Sequence, residues 1–109
     1  GARIGLLGLS YKANLGDMRD SPALDIKKEL VKLGANVLSC DPYCNGNADA
    51  KIDEILEKCV GVILATNHTQ FLKVRNWKNV KVIIDGRNCL NKEKIIAQKI
   101  YYRGIGRGE

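Results

Sequence analysis

A chain of 109 residues with 45% hydrophobic content can build one core but not two, and apolar residues spread along its length exclude a disordered chain. The net charge of +6 and pI of about 9.3 favour anionic ligands. The lysines are scattered through segments such as 27–32, not gathered into the basic stripe that nucleic acid requires. No apolar run approaches the roughly 20 residues needed to cross a bilayer. Cys40, Cys44, Cys59 and Cys89 lack the density of a disulfide scaffold, so reduced thiols in a cytoplasmic protein are expected. Cys40 and Cys44 are spaced C-x3-C, but a zinc site takes about four ligands and the sole histidine, His68, is distant in sequence; no metal site is expected.

In chain order, Arg3 to Leu9 is a short apolar run that reads as a strand between glycines. Ser21-Pro22 opens a helix, with serine as N-cap and proline in the first turn. Ala23, Ile26, Leu30 and Leu33 recur at helical spacing, and Gly34 is placed to stop it. Asn36 to Cys40 reads as a second strand, closed by Asp41-Pro42. Ile52, Ile55, Leu56 and Cys59 outline a short amphipathic helix. Gly61 to Thr66 is a continuous apolar run of the kind found in central parallel strands. A polar stretch, Asn67 to Phe71, leads to a turn or short helix ending near Trp77. Val80 to Asp85 is the next strand, a short helix lies around Lys92 to Ala97, and Lys99 to Gly106 alternates like an edge strand.

That order predicts a single α/β domain over residues 1–109: a Rossmann-like, doubly wound, mainly parallel sheet of five to six strands with helices on both faces. Ligands in such sheets sit beyond the C-terminal strand ends, where strand order reverses. Four loops then become candidates: Gly8 to Ser21, Asp41 to Cys44, Thr66 to Gln70 and Asp85 to Asn88.

A dinucleotide site would show G-x-G-x-x-G at the first turn. Here the spacing is Gly5-x-x-Gly8, and about a dozen residues separate Gly8 from the helix start. That is too long for the tight turn that sets pyrophosphate on a helix N-terminus. Asp41 holds the place of a ribose-binding acid, with a turn-forming Asp-Pro as the alternative. The first loop, Ser10 to Ala23, carries Tyr11, Lys12, Asp17, Arg19 and Asp20. Lysine offers phosphate a mobile charge and arginine a planar fork, while Tyr11 can stack on a ring. The alternative is that Asp17 and Arg19 pair with each other to hold the loop. His68 is read as structural or loop-capping because no partner for a general base is evident, and Trp77 as a packing aromatic.

The run from Gly8 to Pro42 resembles the start of the C-terminal domain of the UDP-glucose/GDP-mannose dehydrogenase family: an aromatic-Lys pair, an acid and arginine a few positions on, then Ser-Pro. The resemblance continues through Val62 to His68 and Ile84 to Asn88. It implies a nucleotide-diphosphate-binding domain of an NAD-dependent enzyme that oxidises a sugar 6-hydroxyl to a carboxylate through a covalent cysteine intermediate. By that likeness Tyr11 and Lys12 contact a UDP-sugar or GDP-sugar. Arg19 reaches towards NAD across an interdomain cleft, and Arg87 meets the phosphate or sugar end, in its own or a neighbouring subunit. Lys12 and Arg87 would neutralise the diphosphate while backbone groups of residues 66–70 help hold it. The nucleophilic cysteine, the acid–base lysine, the NAD glycine fingerprint and the dimerising helix of that family have no counterpart in this sequence, which therefore implies binding without turnover. It also implies an N-terminal NAD domain as partner and a homodimer or higher assembly. A stand-alone nucleotide-sensing Rossmann-like module is the alternative.

Overall fold

The computed structural model describes residues 2–10, 14, 22–44 and 48–104. Five strands form one parallel sheet: β1 (Arg3–Leu7), β2 (Asn36–Cys40), β3 (Gly61–Leu64), β4 (Val82–Asp85) and β5 (Tyr101–Gly104). Their order is β2-β1-β3-β4-β5, so the sheet is wound outwards in both directions from β1 and β3. The register sets Leu7 beside Cys40 on one side and Leu64 on the other, and carries on to Asp85 and Gly104. The C-terminal strand ends therefore form one edge, and the switch point between β1 and β3 lies near its middle.

The expected elements are present, with shorter ends. β1 stops at Leu7, β3 at Leu64, and β4 begins at Val82. Beyond Leu64 the backbone leaves the ladder: Ala65 and Thr66 N–H both turn onto Leu7 O. Helix α1 spans Ala23–Lys32 with Pro22 in the cap position and no side-chain cap; Ser21, expected there, lies outside the described residues. Gly34 ends the helix at φ +90°, with Gly34 N–H on Val31 O and Ala35 N–H on Leu30 O, a Schellman closure. Leu33, counted with the buried face, is instead 81% exposed. It sits at the C-cap with non-helical dihedrals, so the 3.6-residue period no longer applies to it.

Helices α2 (Ile52–Lys58), α3 (Thr69–Leu72) and α4 (Lys92–Ile96) cover the opposite face from α1. Two apolar clusters make the division plain. Leu6, Val37 and Ala65 pack with Ala23 and Ile26 of α1. Leu7, Val62, Leu64, Ile83 and Tyr102 pack with Ile55, Phe71, Trp77 and Ile95. Leu6 and Leu7 are consecutive and enter different clusters, as strand alternation demands. Trp77 is fully buried in the larger cluster, the packing role its sequence position suggested. No helix among the described residues is long and apolar enough to cross a membrane.

Candidate functional site

Two buried aspartates end two of the parallel strands and organise the loops above the sheet. Asp41, just past β2, is 1% exposed. Its Oδ2 accepts from Leu9 N–H (2.7 Å), Ser10 N–H (3.0 Å) and Ser10 Oγ–H (3.0 Å), and its Oδ1 from Tyr43 N–H (2.8 Å). His68 Nε2 lies 2.9 Å from the same Oδ2. Burial by itself would raise the Asp41 carboxyl, yet the donors from Leu9, His68, Ser10 and Tyr43 hold it below the ordinary carboxylate range. The carboxylate that could have met a ribose is turned inward and spent on the protein's own backbone.

His68 is fully buried and both of its ring nitrogens are engaged. Asn14 N–H donates to Nδ1 at 2.7 Å. A backbone amide can only donate, so Nδ1 carries no proton and the ring proton is on Nε2. Nε2–H then lies between Asp41 Oδ2 and Ser10 Oγ, the latter at 2.8 Å. Serine, histidine and aspartate meet here without forming a nucleophile triad. A triad needs serine and acid on opposite ring nitrogens, whereas here both share one. Ser10 is also 1% exposed. The cluster is a tie between loops, which agrees with the structural reading of His68.

The tie extends to the surface through Asn14, an exposed residue at φ +59°. Its Oδ1 accepts from Thr69 N–H (2.9 Å) and its Nδ2 donates to Thr69 Oγ (2.9 Å). Tyr43 lays its ring 4.9 Å from that of His68. Below, Gly8 closes the first turn at φ +105°, donating to Cys40 O at 2.8 Å. A Cβ on Gly8 would stand 2.4 Å from Thr66 Oγ1, and that hydroxyl donates to Ser10 O. Only glycine permits both the dihedral and the approach.

Asp85, the last residue of β4, repeats the device. It is fully buried. Oδ1 accepts from Arg87 N–H (3.1 Å), and Oδ2 from Cys89 N–H (2.9 Å), Leu90 N–H (2.8 Å) and Tyr102 Oη–H (2.8 Å). Gly86 N–H donates to Leu64 O, and a Cβ there would come within 2.8 Å of that oxygen, which explains glycine between Asp85 and Arg87. Arg87 is exposed, and its Nε donates to Ala65 O at 2.9 Å. The guanidinium is thereby held at the end of β3, beside the switch point.

Of the residues expected to bind ligand, the structure thus brings Arg87 to the strand edge where Ser10 and Asn14 are fastened. Tyr11, Lys12 and Arg19 lie outside the described residues. Sequence reading missed Asn14 altogether. Of its two readings of Asp41, the turn former holds, with Tyr43 N–H on Oδ1 and Cys44 N–H on the Asp41 carbonyl, while the gathering of donors from the first loop was not foreseen. The signal for a second role was present: acids at the ends of apolar strand runs, at Asp41 and Asp85, are placed to gather loop N–H groups. A groove of about 340 Å³ runs beside Asp41, between Pro42, Lys51 and Gln70. A larger one, about 610 Å³, lies between the segment 72–77 and α4; Arg87 lines neither. The four cysteines are free, and burial, aided by the Asp41 charge, pushes the Cys40 thiol up to about 11. No group of metal-binding side chains occurs among the described residues.

Comparison with known proteins gives this architecture a lineage. The chain is 35% identical over 114 residues to UDP-N-acetyl-D-mannosamine dehydrogenase of Pyrococcus horikoshii, covering 99% of this chain and 26% of that protein. It is 37% identical over 122 residues to the Bacillus subtilis UDP-glucose 6-dehydrogenase TuaD, covering 98% of this chain and 26% of that protein. The solved UDP-D-ManNAc dehydrogenase from Pyrococcus horikoshii superposes with a TM-score of 0.81 at 34% identity, over 98% of this chain and 26% of that one. A Methanosarcina mazei NDP-N-acetyl-D-galactosaminuronic acid dehydrogenase, at 24% identity over 98% of this chain and 25% of that one, has a TM-score of 0.84 and agrees in fold. The chain spans about a quarter of the length of these relatives. Residues 5–92 match the model of the UDP-glucose/GDP-mannose dehydrogenase family, UDP binding domain, and the chain belongs to that family.

Proposed function

We propose that this chain binds the nucleoside-diphosphate part of a UDP-sugar, or of a GDP-sugar, as the C-terminal domain of an NAD-dependent 6-dehydrogenase that converts a sugar 6-hydroxyl to a carboxylate. The observation that carries the reading is the placement of Arg87. Its Nε is fixed on Ala65 O at the switch point, the position where open parallel sheets receive nucleotides. Lys12 and Arg87 neutralise the diphosphate, with Tyr11 against the base or sugar ring and backbone groups of residues 66–70 alongside. A guanidinium whose orientation is already fixed gives up less freedom on binding than a loose one.

Nicotinamide dinucleotide does not fit this chain as its main cradle. The first turn lacks the glycine fingerprint, and the Asp41 carboxylate is fully occupied by loop donors. Hydride transfer and the cysteine nucleophile therefore fall to polypeptide outside this chain, including an N-terminal NAD domain to whose cofactor site Arg19 contributes. On this reading the chain binds without turning substrate over, works in the cytoplasm, and acts within a homodimer or larger assembly in which Arg87 can serve a neighbouring subunit.

Calorimetric titration with UDP, GDP, NAD and inorganic pyrophosphate tests this. Selective binding of UDP or GDP, weakened by about 1–3 kcal/mol in Lys12→Ala through loss of a charge-assisted hydrogen bond, is the expected result. Equal affinity for pyrophosphate and nucleotide, or an unaffected Lys12→Ala variant, would remove the assignment.

A further inference from the structure

We propose that the groove between the segment 72–77 and α4 is a second ligand site, one that takes a small organic phosphate; it goes beyond the nucleotide reading and does not rest on it. The groove measures about 610 Å³, within the roughly 300–1,000 Å³ of small-molecule sites. Trp77, Leu90 and Ile95 of its wall belong to the larger apolar cluster, so it lies over the sheet face that α2, α3 and α4 cover. Lys73 and Arg75 line it from one side and Lys94 from the other, and no aspartate or glutamate joins them. All three cations are exposed, and among the described residues none of them is ion-paired.

The two walls are tied to each other by one side chain. Gln98 Oε1 accepts from Trp77 N–H (3.1 Å), and its Nε2 donates to Arg75 O (2.8 Å) and Lys94 O (3.3 Å). The backbone positions of two cations and the tryptophan are thereby gathered in one frame, which lowers the cost of ordering them around a ligand. Beneath them Trp77 is fully buried. Its Nε1 is a donor with no acceptor among the described residues. A buried indole N–H ordinarily finds a partner, and a phenylalanine would fill an apolar floor without leaving one unmet. An anion's oxygen entering between the walls supplies the acceptor. An arginine fork beside two lysines suits the several oxygens of a phosphate. Leu72 and Val74, next to these cations, give an organic group apolar surface to cover.

Trp77 is the only tryptophan in the chain, so its indole N–H resonance reports on this groove. Titration with phenyl phosphate, a dianion with a flat apolar body, should move that resonance downfield in a saturable way and slow its exchange with water. Arg75→Ala and Lys94→Ala should each raise the Kd for phenyl phosphate about tenfold, through loss of a charge-assisted hydrogen bond. Lys28→Ala removes the same charge from α1, on the opposite face of the sheet. It should change Kd less than about twofold, since salt screens an exposed charge that far away. Inorganic phosphate, which lacks the apolar body, should bind at least about fivefold more weakly. An indole resonance that stays in place throughout the titration would overturn the site. So would equal weakening by all three variants, because the net charge of +6 then accounts for the binding. Equal Kd values for inorganic and phenyl phosphate would overturn the assignment to an organic ligand.

Discussion

Replacing Asp41 with Asn tests how far one buried carboxylate holds the switch-point loops together. Asp41 accepts four donors on Oδ2 and one on Oδ1. Asparagine has one acceptor oxygen. If that oxygen stays in the Oδ2 position, the amide nitrogen faces Tyr43 N–H and one bond is lost, while the remaining four lose their charge assistance. A hydrogen bond to a charged group contributes about 1.5–3 kcal/mol against about 0.5–1.5 for a neutral one. Losing one bond and weakening others predicts a destabilisation of roughly 2–4 kcal/mol, a large share of the about 5–15 kcal/mol that holds a domain folded. Urea unfolding followed by circular dichroism measures it as a lower midpoint at unchanged slope.

The pH dependence sharpens the test. The Asp41 carboxyl is held low in the folded state, so its stabilisation is fully present above the unfolded value of about 3.9. It is lost as pH falls below that value and through the folded one. The stability difference between wild type and Asp41→Asn should be constant from pH 5 to 7, by this linkage, and shrink below about pH 3.9. A difference below 1 kcal/mol at neutral pH, or one that persists undiminished through the acid range, would refute the claim that the ionised carboxylate organises these loops.

Gly8→Ala should cost at least about 2 kcal/mol, since the methyl group meets Thr66 and the backbone sits at φ +105°; an unchanged urea midpoint would contradict this. Tyr102→Phe deletes the hydroxyl on Asp85 Oδ2 and should lower stability by about 1–3 kcal/mol, read by thermal unfolding. The Cys40 thiol, buried and pushed up to about 11, should resist iodoacetamide at pH 8 in the native protein, because the thiolate is the reacting species. Peptide mass spectrometry would show rapid modification of Cys40 if that environment is wrong.

The strand and helix order was legible because each element carries its own local signal. Asn36–Cys40 is the observed β2, and apolar spacing marked Ile55 and Leu56, both buried in α2. The limits of such signals show at Leu33, where apolar character persists one step after helical geometry has ended. The place of Arg87 at the C-terminal strand edge was legible for a similar reason: a strand that ends in Asp-Gly-Arg places it in a loop beyond the sheet. What holds Arg87 there, the carbonyl of Ala65, belongs to a different strand and left no trace in the local pattern.

By itself, then, the sequence determined the α/β order, the approximate spans and which loops lie beyond the C-terminal strand ends, since periodicity, turn residues and glycine or proline placement are encoded within a few neighbours. Tertiary structure decided what that edge is made of. Ser10, Asn14, Asp41 and His68 converge across separations of 27 to 58 residues. Their joint role arises only when β1, β2 and β3 lie side by side in one register. Local pattern cannot report that convergence. Strand pairing sets which loops become neighbours, and burial then makes every polar group there find a partner.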